Sequence, residues 1–104
     1  MNDCSIEALA PKAAEAARLL RALSNRRRLE ALCLLSEAEE MSVGAIARRV
    51  SLSHSAASQH LGLMREDGLV ATRREGTTIY YRIADRRIGA MLSLLQTLHC
   101  EALS

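Results

Sequence analysis

Between Ser51 and Ile83 the chain reads SLSHSAASQHLGLMREDGLVATRREGTTIYYRI. Its first part crowds hydroxyl, amide and imidazole groups together at His54, Ser55, Ser58, Gln59 and His60. On the exposed face of a helix such groups can pair with base edges in the DNA major groove, where each base pair offers a distinct donor and acceptor pattern. Gln59 has the best chemistry for this, because its amide can pair bidentately with adenine. Ser55 and Ser58 can bond bases or phosphates. His54 falls at the helix start, where free backbone N–H groups favour phosphate. His60 has two readings: a DNA contact, or a partly buried structural residue beside Leu61. Arg65 suits a phosphate or an acid on its own helix. Arg73, Arg74, Thr77 and Thr78 surround Gly76 in a basic hairpin that suits phosphates or a minor groove. Each of these four, taken singly, also reads as an ordinary solvated hairpin side chain.

A second chemistry lies in the thiols. Three cysteines, Cys4, Cys33 and Cys100, form an odd set with no CxxC spacing. That usage fits a reducing cytoplasm better than a disulfide scaffold. Cys33 shares a helical face with Leu29 and Leu32, so on its own it reads as a small buried hydrophobe. Cys100 falls at the edge of an apolar stripe, where exposure is expected. Cys4 reads as a bystander or an accessory thiol.

Five helices and a hairpin must position these groups. The first spans about 5–23, with Ile6, Leu9, Ala13, Ala16, Ala17, Leu20 and Leu23 at helical steps. Pro11 moves the start of its regular part toward that residue, and residues 1–10 are expected as a mobile tail. A second helix covers about 25–38, capped by Ser24 or Asn25, and Glu37 to Met41 follow as an acidic connector. Ser42 caps a third helix over 43–50. Ser53 caps a fourth, whose inward face is Ala57, Leu61 and Met64 and whose stop is Gly68. Strands over 69–74 and 78–83 turn through Glu75-Gly76-Thr77. A last helix over 85–103 carries Ile88, Met91, Leu92, Leu95 and Leu98.

The 104 residues make one domain, 49% apolar yet without Phe or Trp, so the core is aliphatic. A domain this small is marginal alone, and its aliphatic terminal helices suggest an obligate dimer. Net charge is only +2, but 42–82 holds six Arg against three acids. The basic excess therefore falls on the segment that would meet DNA. No apolar run is long enough to span a membrane, and no signal peptide is evident.

Two short helices joined by a tight turn, the second polar outside and followed by a hairpin, give a winged helix-turn-helix. The sequence resembles the ArsR/SmtB type of bacterial transcriptional repressor. The resemblance rests on Ala22-Leu23-Ser24-Asn25-x-x-Arg28-Leu29, Ser42-Val43-x-x-Ile46 and Leu52-Ser53-x-Ser55-x-x-Ser58-Gln59-His60-Leu61. Arg65-x-x-Gly68-Leu69-Val70 and Tyr80-Tyr81-Arg82 extend it, so that it covers about 16–101. It implies a mostly α fold with a small β wing, a homodimer held by the first and last helices, and an imperfect palindrome of double-stranded DNA as operator. It implies an inducer that alters that binding, and neither enzyme nor cofactor.

The inducer is narrowed by what the chain lacks. Arsenic-type members carry Cys-x-Cys near the third helix; here Glu40-Met41-Ser42-Val43 has no cysteine. Zinc-type members carry Asp-x-His and His-x-x-Glu in the last helix; here Asp85 leads to Arg87 and His99 to Ala102. No metal site of those types is expected, although Cys33, His99 and Cys100 remain an alternative set for a soft metal. Leu32-Cys33-Leu34-Leu35 and Leu94-to-Cys100 resemble instead the persulfide-responsive branch of the BigR/SqrR type. That resemblance implies a Cys33–Cys100 redox switch, closed by a disulfide or polysulfide when reactive sulfur species arrive. The two cysteines are 67 residues apart, so only the resemblance places them together. Competing readings are a thiol enzyme, which lacks an activating basic cluster, and a winged helix that binds protein rather than DNA.

Overall fold

The computed structural model describes residues 5–100. Element order is α1 (Ile6–Leu9), a 3-10 turn (Ala10–Lys12), α2 (Ala13–Leu23), α3 (Arg26–Ala38), β1 (Met41–Ser42), α4 (Val43–Arg49), α5 (His54–Glu66), β2 (Val70–Glu75), β3 (Thr78–Ile83) and α6 (Arg86–Cys100).

The expected first helix is thus divided. Pro11 lacks the N–H that a continuous helix needs, and the chain tightens into a 3-10 turn around it before α2 resumes. Residues 6–9 of the expected tail are helical, capped by Ser5. The expected end of the last helix beyond Cys100, and Cys4, lie outside the described residues.

Capping follows the sequence. The Asn25 side chain accepts from Arg28 N at 3.1 Å. Arg28 in turn donates to the Ala22 and Arg21 carbonyls, both at 3.2 Å, closing the end of α2. Ser42 and Ser53 accept from Ala45 N and Ala56 N at 3.2 and 3.0 Å, each satisfying an orphan donor of its helix. Asp85 accepts from Arg87 N at 2.9 Å and opens α6. Past α5, Gly68 takes φ 77° while Leu69 N reaches back to the Met64 carbonyl at 3.0 Å. This is a Schellman-type stop, and it delivers Leu69 to the core.

The sheet has order β1-β3-β2. β2 and β3 pair antiparallel from Val70↔Ile83 to Glu75↔Thr78. The turn is therefore shorter than expected: only Gly76 and Thr77 lie between paired residues, and Gly76 supplies the positive φ of 64°. The short β1, which replaces the end of the expected acidic connector, pairs Met41↔Tyr81 and Ser42↔Tyr80.

One aliphatic core joins the helices to the base of the wing. Leu32, Leu35, Ile46, Leu61, Met64, Leu69 and Ile88 are its largest fully buried side chains. Tyr81 is the aromatic buried with them. Because Leu61 and Met64 anchor α5 from one side, its opposite face is left to solvent.

Candidate nucleic-acid interface and thiol pair

α4, the turn 50–53 and α5 form the helix-turn-helix. Ser51 bends the turn with φ 58°, and Leu52 N donates to the Ala47 carbonyl at 2.9 Å. Ala57, Leu61 and Met64 point inward, leaving His54, Ser55 and Gln59 exposed and Ser58 half-buried. An open groove of about 310 Å³ runs between α4, α5 and the wing, lined in part by Ser42, Gly44, His54, Ser58, Thr77 and Thr78. The structure thus brings four of the sequence-selected residues together: His54 and Ser58 from the helix, Thr77 and Thr78 from the wing. Ser42, read from the sequence only as a helix cap, and Gly44 also line this groove. Ser55 and Gln59 lie outside it on the free face of α5. Arg65 is exposed in the last turn of α5, about 16 Å along the axis from His54.

His60 is half-buried, and its Nδ1 is enclosed without a hydrogen-bond partner. That placement supports its structural reading more than a free base-reading one.

The two wing arginines differ. Arg73 forks onto Glu40, with Nε and Nη2 donating at 3.0 and 2.8 Å, while Nη1 donates to Glu75 at 2.9 Å. Its guanidinium also stacks over the Tyr80 ring at 4.6 Å. The hydrogen bonds from Arg73 hold the Glu40 carboxyl below the usual carboxylate range. Arg74 is exposed and makes no ion pair among the described residues. Glu40 had no local signal in the sequence, because the strand that brings it to Arg73 is only two residues long.

The thiols sit on two packed helices, Cys33 on α3 and Cys100 at the end of α6. Both are free; Cys33 is half-buried at the core edge and Cys100 is exposed. Burial pushes the Cys33 thiol up, and charge at Glu37, Cys100 and Glu30 pushes it further. The contact between α3 and α6 puts both thiols on one packed pair of helices. Among the described residues no group of three or more His, Cys, Asp or Glu side chains is placed to hold a metal ion. Cys33, His99 and Cys100 do not assemble into one.

A capped reading helix behind a tight turn, flanked by a β wing and seated on an aliphatic core, defines a winged helix-turn-helix DNA-binding protein. Residues 25–72 match the bacterial regulatory protein, arsR family. The transcriptional activator HlyU of Vibrio cholerae is 43% identical over 98 residues, covering 94% of this chain and 90% of its own. The transcriptional repressor BigR from Xylella fastidiosa superposes with TM-score 0.86 at 35% identity, over 93% of this chain and 98% of that one. A homodimeric winged helix-turn-helix DNA-binding domain from Mycobacterium bovis superposes with TM-score 0.77 at 36% identity, over 98% and 92%. The chain belongs to the arsR family of bacterial regulatory proteins. Among the described residues no helix is long and apolar enough to cross a membrane.

Proposed function

We propose that the chain is a homodimeric cytoplasmic repressor that reads an imperfect palindrome through α5 and is switched by sulfur bridging of Cys33 and Cys100. What supports the switch is the placement of Cys33 and Cys100 on the packed helices α3 and α6. A reducing compartment keeps such a pair as thiols until an oxidising sulfur species arrives.

The chemistry needs only the donor. One cysteine thiolate attacks the terminal sulfur of a persulfide RS–SH. The RS–S bond breaks, RS⁻ leaves and takes up a proton, and the protein holds Cys–S–SH. The second thiolate attacks the inner sulfur of that group and expels HS⁻, closing a disulfide. Where both cysteines have first accepted sulfur, the terminal sulfur of one attacks the inner sulfur of the other. HS⁻ leaves and a trisulfide remains, with a longer reach than a simple disulfide. A coupling of about 1–3 kcal/mol between bridge and operator would change affinity roughly 5–150-fold.

The dimer reading rests on exposed apolar residues at both ends of the chain. Leu94 and Leu98 on α6, and Ile6, Leu9 and Leu20 on α1 and α2, are all exposed. A second copy that covers them would set two reading helices in one array. In the interface, Ser55, Ser58 and Gln59 read bases, His54, Thr77 and Thr78 hold phosphate, and Arg74 with Arg65 supplies charge. Arg73 acts by holding the wing.

The test combines operator titration with intact-mass spectrometry before and after persulfide treatment. The expected result is sulfur addition or bridging at Cys33 and Cys100 together with a change in operator affinity. Sulfur confined to Cys4, with Cys33 and Cys100 untouched, would remove the switch. Stoichiometric zinc binding that alters operator affinity would replace it with a metal response.

A further inference from the structure

We propose that an open groove beside Cys33 docks a carboxylate-bearing small persulfide, with Arg26, Arg27 and Arg49 receiving the carboxylate. The inference rests on the sulfur-sensing reading above and names the class of donor. The groove has a volume of about 520 Å³ and is lined in part by Arg26, Arg27, Leu29, Cys33, Leu34 and Arg49. That volume falls in the range of small-ligand sites. Two of its arginines come from the first turn of α3 and the third from the last turn of α4.

Charge at this end is in surplus. Glu30 accepts from Arg26 Nε at 3.0 Å and from Arg27 Nη1 at 3.2 Å. Arg49 is exposed and makes no ion pair among the described residues. Three guanidiniums therefore share one carboxylate of the groove, and a planar fork of N–H donors suits a further carboxylate better than a lysine would. A cleft lined by one sign of charge concentrates ligands of the other.

Length fits as well. Arg26 and Arg27 precede Cys33 by seven and six residues on one helix, which is about 9–10 Å along its axis. An extended peptide thiol of three residues, at about 3.3–3.6 Å each, spans that distance. Leu29 offers apolar contact in between, and Leu34 lines the groove beside Cys33. Burial and the nearby charges of Glu37 and Glu30 disfavour negative charge at the Cys33 sulfur. Cys33 is half-buried with its thiolate disfavoured, so its reaction gains from a donor held in place. In the step, the Cys33 thiolate bonds the terminal sulfur, the RS–S bond breaks, and RS⁻ leaves with a proton from solvent.

The experiment uses the full chain with Cys100→Ser, so that sulfur cannot pass on from Cys33. The rate of Cys33 persulfidation is followed by alkylation and peptide mass spectrometry. Two donors are compared, glutathione persulfide and the uncharged 2-hydroxyethyl persulfide, with and without Arg26→Gln/Arg49→Gln. Arg27 is left in place because it also supports the fold. The double substitution should slow the glutathione donor on the order of tenfold and leave the uncharged donor unchanged. Unreactive S-methylglutathione should compete with the glutathione donor alone. An equal effect on both donors, or none, would overturn the docking site while leaving the sulfur switch standing. A fall in operator affinity and salt slope of the reduced protein, without a donor-specific effect, would assign these arginines to the DNA backbone instead. No sulfur uptake at Cys33 from either donor would overturn the docking site, and the switch falls with it only where Cys33 and Cys100 of the unsubstituted chain also stay unmodified.

Discussion

Arg27 donates from Nη1 to the Val50 carbonyl at 2.8 Å, tying the helix of Cys33 to the turn that launches α5. Glu30, one turn before Cys33, braces the same nitrogen at 3.2 Å. A movement of α3, such as the proposed bridging would cause, would have a direct mechanical route to the reading helix. Arg27→Met keeps an apolar stem and removes the bond. With the side chain 38% exposed, the cost should be about 1 kcal/mol, read by urea unfolding. If the bond transmits the switch, the ratio of operator affinities between reduced and bridged protein should shrink as well. Lower stability with an unchanged ratio would confine Arg27 to a structural role.

The Glu40–Arg73 fork predicts a division of labour on the wing. Arg74→Ala should lower the salt slope of operator binding by about one charge. Arg73→Ala should lower it less and loosen the wing, seen as faster amide exchange in β2 and β3. Glu40→Gln should reproduce the loosening with no loss of positive charge. Because the folded carboxyl of Glu40 lies below its unfolded value, its contribution is present above the ordinary carboxylate range and is lost as pH falls through the folded pKa. Equal slope losses for the two arginines would show that both reach phosphate.

Gln59→Ala should cost discrimination rather than general affinity. A bidentate amide–adenine pair is worth about 1–3 kcal/mol against the wrong base. Titration of the cognate operator and a set of single-base variants should show the preference collapsing at one position per half-site. Uniform weakening across all variants would move Gln59 to the backbone contacts.

Leu98→Glu should dissociate the dimer. Leu98 is 65% exposed in the single chain, one turn beyond the equally apolar Leu94. A carboxylate buried against a second copy would have to lose its hydration. Sedimentation velocity should report a monomer at micromolar concentration, with half-site binding at most. A dimer that survives would place the interface elsewhere.

How much of this was legible in the sequence depends on range. The face of α5 could be read because Ser53, Ala57, Leu61 and Met64 fix start and period within a dozen residues. The hairpin could be read from alternation around Gly76. β1 could not, since two residues carry no alternation. Pro11 marked a helix start to the eye, but the chain on its N-terminal side is helical again. Arg73 looked free because its partner Glu40 arrives from 33 residues away. Arg27–Val50, 23 residues apart, left no sequence trace. The pairing of Cys33 with Cys100 comes only through resemblance, because no local pattern encodes how α3 packs on α6.

The Cys33 environment makes a prediction about pH. Burial raises its thiol first, and the carboxylates of Glu37 and Glu30 and the charge of Cys100 add to it. All of these disfavour the thiolate. The alkylation rate of Cys33 with iodoacetamide should therefore inflect at a higher pH than that of a free cysteine, and Cys33 should react more slowly than exposed Cys100 at neutral pH. Glu37→Gln should bring the inflection down and raise the neutral-pH rate. The sign for stability is opposite. Since the folded thiol binds its proton more tightly than the unfolded one, the folded state holds more protons between the two pKa values. Its stabilisation is complete below the unfolded thiol pKa and is lost as pH rises toward the folded one. Site-resolved mass spectrometry across pH, beside urea unfolding at the same points, checks both. An inflection at or below that of free cysteine would mean that the acids and the buried wall do not act on this sulfur. Cys33 would then need no docked donor to react.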